Sequence, residues 1–312
     1  MITKFVLSAL CLICMSGCSD VQNTADRVKG IQEENFYYID NGIVRLGIDL
    51  ERGGSIFYFA ESSTRRNVLN HADEGRFIQQ SYYGEPDSSR WINQPWVWNP
   101  IQGGGCHGEK ARILKKEIDE YTINILSEPV HWASGAAIQD AEMEEIITLK
   151  GRMAHIHYIF RNTGENAKDH PATNQELPAV FVDANLPYLI YYGGKSPWTD
   201  DSLTTVIPGW PNETHTRTEE WAAYTDSTQW GIGVYTPGTT VSTAYRFAGD
   251  GTAGPQGSAC SYFAPVRTFA ITKNLVFEYD VFLYIGTVSE IRKAFKQVYQ
   301  KNRTEGNNIK PE

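Results

Sequence analysis

Glu145-Ile146-Ile147-Thr148-Leu149, the turn Lys150-Gly151-Arg152, and then Ala154-His155-Ile156-His157-Tyr158-Ile159-Phe160 form the stretch on which the fold turns. Much of its apolar content recurs at every second position, the period of a half-buried strand, and the glycine turn folds one run back onto the other. Ala154, Ile156, Tyr158 and Phe160 share one face, and His155 and His157 share the opposite one. A lone hairpin is marginal in water, so further strands must flank it. The chain supplies them. Val44, Leu46, Ile48 and Leu50 alternate within residues 43–50, and Arg52-Gly53-Gly54 turns that run into residues 55–59. Residues 121–125, 230–235 and 268–272 also read as strands, and residues 275–285 align Phe277, Tyr279, Val281, Leu283 and Ile285.

One helix is expected. Over residues 289–299, Ile291, Ala294, Phe295, Val298 and Tyr299 recur at helical spacing, with Ser289 as the N-cap and Glu290 in the first turn. Many strands, one C-terminal helix and scattered Gly and Pro indicate an all-β fold, a sandwich of large antiparallel sheets. Without repeats, low-complexity tracts or an internal linker, residues 36–299 read as one domain, followed by a polar tail at 300–312. With 41% hydrophobic residues in 312, the chain has enough apolar material for a core, which excludes a disordered or collagen-like protein. A net charge of -9 argues against a nucleic-acid partner, which would require clustered Lys and Arg, and favours a neutral or weakly charged ligand.

The first residues read as an address. Lys4 precedes an apolar run over residues 5–15 that is too short for a stable span, as in an export signal. Met15-Ser16-Gly17-Cys18 resembles a bacterial lipobox, which implies a signal peptide over 1–17, acylation of Cys18, a lipidated tether over 18–35 and attachment to a bacterial cell envelope, facing the periplasm or the exterior. An ordinary signal peptide cleaved nearby is the alternative. Of five cysteines, Cys11 and Cys14 leave with the leader and Cys18 carries lipid. Cys106 and Cys260 remain, compatible with a disulfide or with two buried thiols, and both are read as structural.

Functional signal is densest over residues 67–110, which hold Arg76, Gln79, Gln80, Tyr82, Trp91, Trp96, Trp98, Asn99 and Gln102-Gly103-Gly104-Gly105. Sugar rings present C–H faces that stack on aromatic planes, and their hydroxyls require fixed polar arms. Arg76, Gln79, Gln80, Tyr82, Trp98, Asn99 and Gln102 are therefore the expected binding residues of an oligo- or polysaccharide groove. A second region, residues 191–235, carries His215, Glu219, Glu220 and Trp221 ahead of a strand. There Trp221 is expected to add a sugar contact.

Gly53-Gly54-Ser55-Ile56, Asn67-Val68, Gly75-Arg76 and Gln102-Gly103-Gly104-Gly105, in that order, resemble the landmarks of galactose-mutarotase-like sugar proteins. The resemblance covers most of the mature chain and implies a β-supersandwich, a fold that carries epimerases, glycoside hydrolase domains and parts of polysaccharide lyases. It departs at two positions. Mutarotases usually carry a histidine in a His-Gly-Gly turn and another in an Asn-His step; this chain has Gln102 at the first and Thr173-Asn174-Gln175-Glu176 at the second. Glutamine exchanges no proton near neutrality, which argues against epimerisation by the mutarotase route.

Glu176 is then the expected replacement for proton transfer. Glu176 and Glu220 are the candidate pair for hydrolysis, since two carboxyls must flank the scissile bond, and His215 is a further catalytic candidate. Elimination from a uronic-acid chain is an alternative, drawing on Arg76, Gln80, Tyr82 and His107 or His215. A non-catalytic carbohydrate-binding module is another, and a protein-binding scaffold would follow from a fully buried Trp cluster. His155 and His157 on one strand face, and Asp200-Asp201, read as structural rather than as zinc or calcium ligands. No metal and no cofactor is expected.

Overall fold

The computed structural model describes residues 28–304 except 120 and 200. Its elements begin with β1 (Lys29–Glu33), β2 (Phe36–Asp40), β3 (Val44–Asp49), β4 (Ile56–Glu61), β5 (Ile78–Ser81), β6 (Pro86–Trp91), β7 (Gln94–Val97) and β8 (Pro100–Ile101). There follow β9 (Arg112–Ile118), β10 (Thr122–Glu128), β11 (Val130–His131), β12 (Glu142–Lys150), β13 (Met153–Asn162), β14 (His170–Asp183) and β15 (Tyr188–Tyr191). The chain continues through β16 (Thr204–Val206), β17 (Glu213–Thr216), β18 (Trp221–Thr225), β19 (Trp230–Tyr235), β20 (Val241–Phe247), β21 (Cys260–Ile271), β22 (Leu275–Thr287) and α1 (Val288–Thr304).

An eleven-stranded sheet runs β1-β2-β3-β4-β5-β14-β21-β20-β17, with β8 pairing β5 and β11 pairing β8; a nine-stranded sheet runs β16-β15-β18-β19-β22-β13-β12-β10-β9. Neighbouring strands are antiparallel. Together they make the expected all-β supersandwich. The β12–β13 hairpin sets Ile147 opposite Ile156 and Leu149 opposite Ala154, and Ala154, Ile156, Tyr158 and Phe160 are all 0% exposed. They pack with Ile48, Ile56, Leu177 and Val180 of the first sheet in one core between the layers. Each large apolar side chain so buried contributes about 1.5–3 kcal/mol.

A carboxyl intrudes on this core. Glu145 takes an inward position on β12 between Met143 and Ile147 and is 0% exposed. Neither of its carboxyl oxygens has a well-formed hydrogen bond, and the Tyr158 hydroxyl beside it is also unpartnered. Burial pushes the Glu145 carboxyl up to about 8, which Gln102 offsets only in part.

Two boundaries differ from expectation. Residues 29–33, assigned to the tether, pair with β2 as the edge strand of the first sheet. The helix begins two residues earlier and ends later: Thr287, not Ser289, caps it, in a box where Glu290 Oε2 accepts the Thr287 backbone N–H at 2.8 Å, and it runs to Thr304 into the expected tail. Ile291, Ala294 and Phe295 face inward. Gly233 lets them approach, since a Cβ there would lie 2.3 Å from Ile291 Cγ2. The export signal, the lipobox with Cys18, and tether residues 18–27 lie outside the described residues. No helix among the described residues is long and apolar enough to cross a membrane.

Candidate functional site

On the face of the first sheet turned away from the inter-sheet core, a cleft of about 570 Å³ opens. That falls within the range of about 300–1,000 Å³ found for small-ligand sites. Glu176, Ala179 and Phe181 from β14, Cys260 and Tyr262 from β21, and Tyr245 and Phe247 from β20 line it. A register irregularity between Glu176 and Ala179 is what puts both on this face, leaving Leu177 and Val180 in the core. Pro178 sits in that irregularity, where no ladder N–H is required.

Glu176 is the titratable centre of the floor. Its Oε2 accepts the Tyr83 hydroxyl at 3.0 Å, and its Oε1 accepts the Tyr262 hydroxyl. Burial raises the Glu176 pKa, and the two tyrosine donors pull it back. Burial also holds the Tyr83 and Tyr262 hydroxyls well above the usual phenol range, with the Glu176 charge adding to the effect, so both remain donors. Tyr262 stacks on Tyr245 at 4.5 Å, and Trp210 meets Tyr245 edge-on at 4.8 Å.

Arg76 and Asp73 stand together in the cleft, joined at 2.9 Å. Arg76 Nη1 also donates to the Ser258 carbonyl at 2.7 Å, and its guanidinium lies 5.5 Å from the Phe247 ring centre. Burial raises the Asp73 pKa, while Arg76 lowers it.

A hairpin overhangs this floor. β6 and β7 pair only with each other, joined by Ile92 and Asn93, both at positive φ, as a tight hairpin turn requires. Trp91, Ile92 and Trp96 from this flap line the cleft beside Trp132. Trp91 lies 4.9 Å from Trp96 and 6.0 Å from Trp132, and Trp96 Nε1 donates to Asn99 at 3.2 Å.

Of the residues expected from sequence, Arg76, Asn99 and Glu176 meet in the cleft. The others stand elsewhere, each for a physical reason. Gln79, Gln80, Tyr82 and Gln102 are buried and stitch the Gly-rich turn to the sheet. Gln79 Oε1 accepts the Gly103 N–H at 2.7 Å, Gln102 Oε1 accepts the Gln80 N–H at 3.1 Å, and Tyr82 donates to Gln80 at 2.9 Å. Gly103 has no room for a side chain, since a Cβ would sit 2.4 Å from Gln79 Oε1. Trp98 stacks on His170 at 4.0 Å and lines a smaller hollow of about 180 Å³ with Glu85, Asp87 and Asp140.

Glu220 accepts the Tyr235 hydroxyl at 3.1 Å and is no part of the cleft, so it does not face Glu176 there. Trp221 is 0% exposed and donates to Glu219 at 2.7 Å, and Arg292 of the helix closes on the same carboxylate at 2.6 Å. This is helix docking, not sugar contact. His215 turns to Tyr191, 3.5 Å away, and burial lowers its pKa. His107 is exposed on a turn outside the cleft. His155 and His157 both contact Asp280, at 2.8 and 3.1 Å. Asp201 accepts the Tyr192 hydroxyl at 3.0 Å, and Asp200 lies outside the described residues. Cys106 and Cys260 are free thiols.

Sequence reasoning missed Asp73, Tyr83, Trp132, Trp210, Tyr245 and Tyr262. Only Tyr83 had a usable signal: in Tyr82-Tyr83, alternation must send one ring to the core and the other to the opposite face.

Two stacked antiparallel sheets of this extent and order define the class: the chain has the galactose mutarotase-like fold. It is similar to a mutarotase candidate from Salmonella typhimurium, with a TM-score of 0.52 and 10% identity over 86% of this chain and 96% of that one. A galactose mutarotase-like protein from Clostridium acetobutylicum gives a TM-score of 0.51 at 8% identity, over 85% of this chain and 100% of the other. Another, from Lactobacillus casei, gives 0.50 at 9% identity, over 83% and 99%. At such identities the likeness is one of fold. No family model matches the sequence, and no curated protein matches it.

Proposed function

We propose that the protein binds a neutral oligo- or polysaccharide in the aromatic cleft and cleaves a glycosidic bond there, with Glu176 transferring the proton. The observation that carries this reading is a half-buried carboxyl, held by Tyr83 and Tyr262, at the floor of a cleft rich in indole and phenol rings. A carboxyl whose pKa is raised by burial can protonate a leaving oxygen and later take the proton back. The second carboxyl that hydrolysis requires is Asp73, set against Arg76.

Arg76 also argues for a neutral ligand. It is the sole Lys or Arg among the described residues lining the cleft, and Asp73 already matches its charge. Elimination from a uronate chain requires a free cation for the sugar carboxylate, so this pairing weighs against it.

The test is turnover on a panel of neutral glycans by the wild type and by Glu176→Gln. The substitution should reduce kcat by at least about a hundredfold, the scale of acid–base catalysis, and leave binding nearly intact. Full turnover by Glu176→Gln would refute the role. A non-catalytic binding module is the second reading, favoured by the tyrosine donors that already occupy both Glu176 oxygens; it predicts glycan affinity with no product from the wild type. We also propose attachment to the cell envelope through Cys18, supported by residues 4–18.

A further inference from the structure

We infer that the cleft holds the interior of a glycan chain, with sugar rings on both sides of Glu176, rather than a single ring or a chain end. This rests on the saccharide reading above and specifies which kind of saccharide.

The argument is the order of strands beneath the aromatic groups. The flap anchors at one end, where Trp96 bonds Asn99 immediately before β8. The sheet then proceeds β8, β5, β14, β21, β20. Glu176 stands on β14, the middle of the five, and Trp210 packs on Tyr245 and Phe247 of β20 at the far end. Four interstrand steps of about 4.8 Å set the two aromatic ends about 19 Å apart. One sugar ring over Glu176 cannot touch both.

Both ends are open to a ligand. Trp210 is 60% exposed and Ile92, at the flap tip, is 74% exposed, yet both line the cleft. Ile92 also has a φ of 48°, a strained setting for a β-branched side chain where Asn or Gly would be at ease. Local strain and exposed apolar surface at the same residue indicate a side chain placed for contact with something outside the chain. A protein that took one ring would have no use for indoles at both ends.

The experiment is a set of calorimetric titrations with neutral cello-, xylo-, manno- and malto-oligosaccharides, each from the monosaccharide to the hexasaccharide, against the full chain, Trp210→Ala and Trp91→Ala. Trp210 lies at the surface, so its replacement leaves the core intact, and circular dichroism checks both variants. In at least one series, affinity should rise with length, and each substitution should weaken the hexasaccharide about three- to tenfold, the value of one stacked ring, without changing monosaccharide affinity. Equal affinity for monosaccharide and hexasaccharide, or a hexasaccharide indifferent to Trp210→Ala, overturns the inference and leaves the saccharide reading standing. No binding in any series overturns the saccharide reading and the inference together.

Discussion

Replacing Glu145 by Gln should change how stability depends on pH more than it changes stability itself. The Glu145 carboxyl is wholly buried with only a weak contact to Gln102, so the folded protein holds its proton up to about 8, against an ordinary value of 4.5. Folding therefore takes up a proton between those values. Stability from this group is full below about pH 4.5, declines as pH rises, and levels off above about 8. At about 1.36 kcal/mol per pH unit, the loss across that window is about 5 kcal/mol.

Tyr82, just after β5, Tyr158 from β13 and Tyr279 from β22 are the titratable neighbours, and burial keeps all three protonated through this range. They add no slope of their own. Glutamine matches the shape of the acid but cannot ionise, and any cost of burying its amide is constant with pH. Urea unfolding at intervals from pH 5 to pH 9 should thus give two curves that diverge, with wild type losing about 4 kcal/mol relative to Glu145→Gln over that range. Parallel curves would refute the reasoning.

Tyr83→Phe removes one of two donors to the Glu176 carboxylate, so the Glu176 pKa should rise and the corresponding limb of the pH–rate profile should move to higher pH; an unmoved limb would count against Glu176 as the titrating group. Glu219→Gln removes a carboxylate that is 0% exposed and pairs with Arg292, and should cost about 3–5 kcal/mol in urea unfolding; a loss below about 1 kcal/mol would show that this ion pair does not hold the helix. Cys18→Ser should abolish incorporation of labelled palmitate in cells, and retained label would exclude acylation at that residue.

The sheets were legible because alternation is a local property: β12, β13 and β22 sit within a few residues of where Ile147, Ile156 and Val281 implied. The site was only partly legible. Arg76, Asn99 and Glu176 were found because aromatic and amide side chains cluster near them in the chain, or because they stand at family landmarks. Tyr245 and Tyr262 come from strands whose adjacency to β14 is a long-range pairing, and the face that Ala179 takes depends on an irregularity that breaks the very period used to read it. Glu220 and Trp221 misled for the converse reason. A carboxylate beside an indole reads as a sugar contact until the partner is known, and Arg292, which claims Glu219, lies 73 positions away.

The flap closes its own ladder and joins the body through the Gly84 N–H, which donates to the Trp98 carbonyl at 2.7 Å, through the Asp87–His131 pair at 2.7 Å and through the Trp91–Trp132 contact. Apart from Asp87, which holds His131 of β11, its residues can therefore be exchanged while both large sheets keep their pairing. Changes there recut the roof of the cleft as one cassette and leave the Glu176 carboxyl beneath it in place, so the shape of the cleft can vary between Pro86 and Val97 over a constant floor.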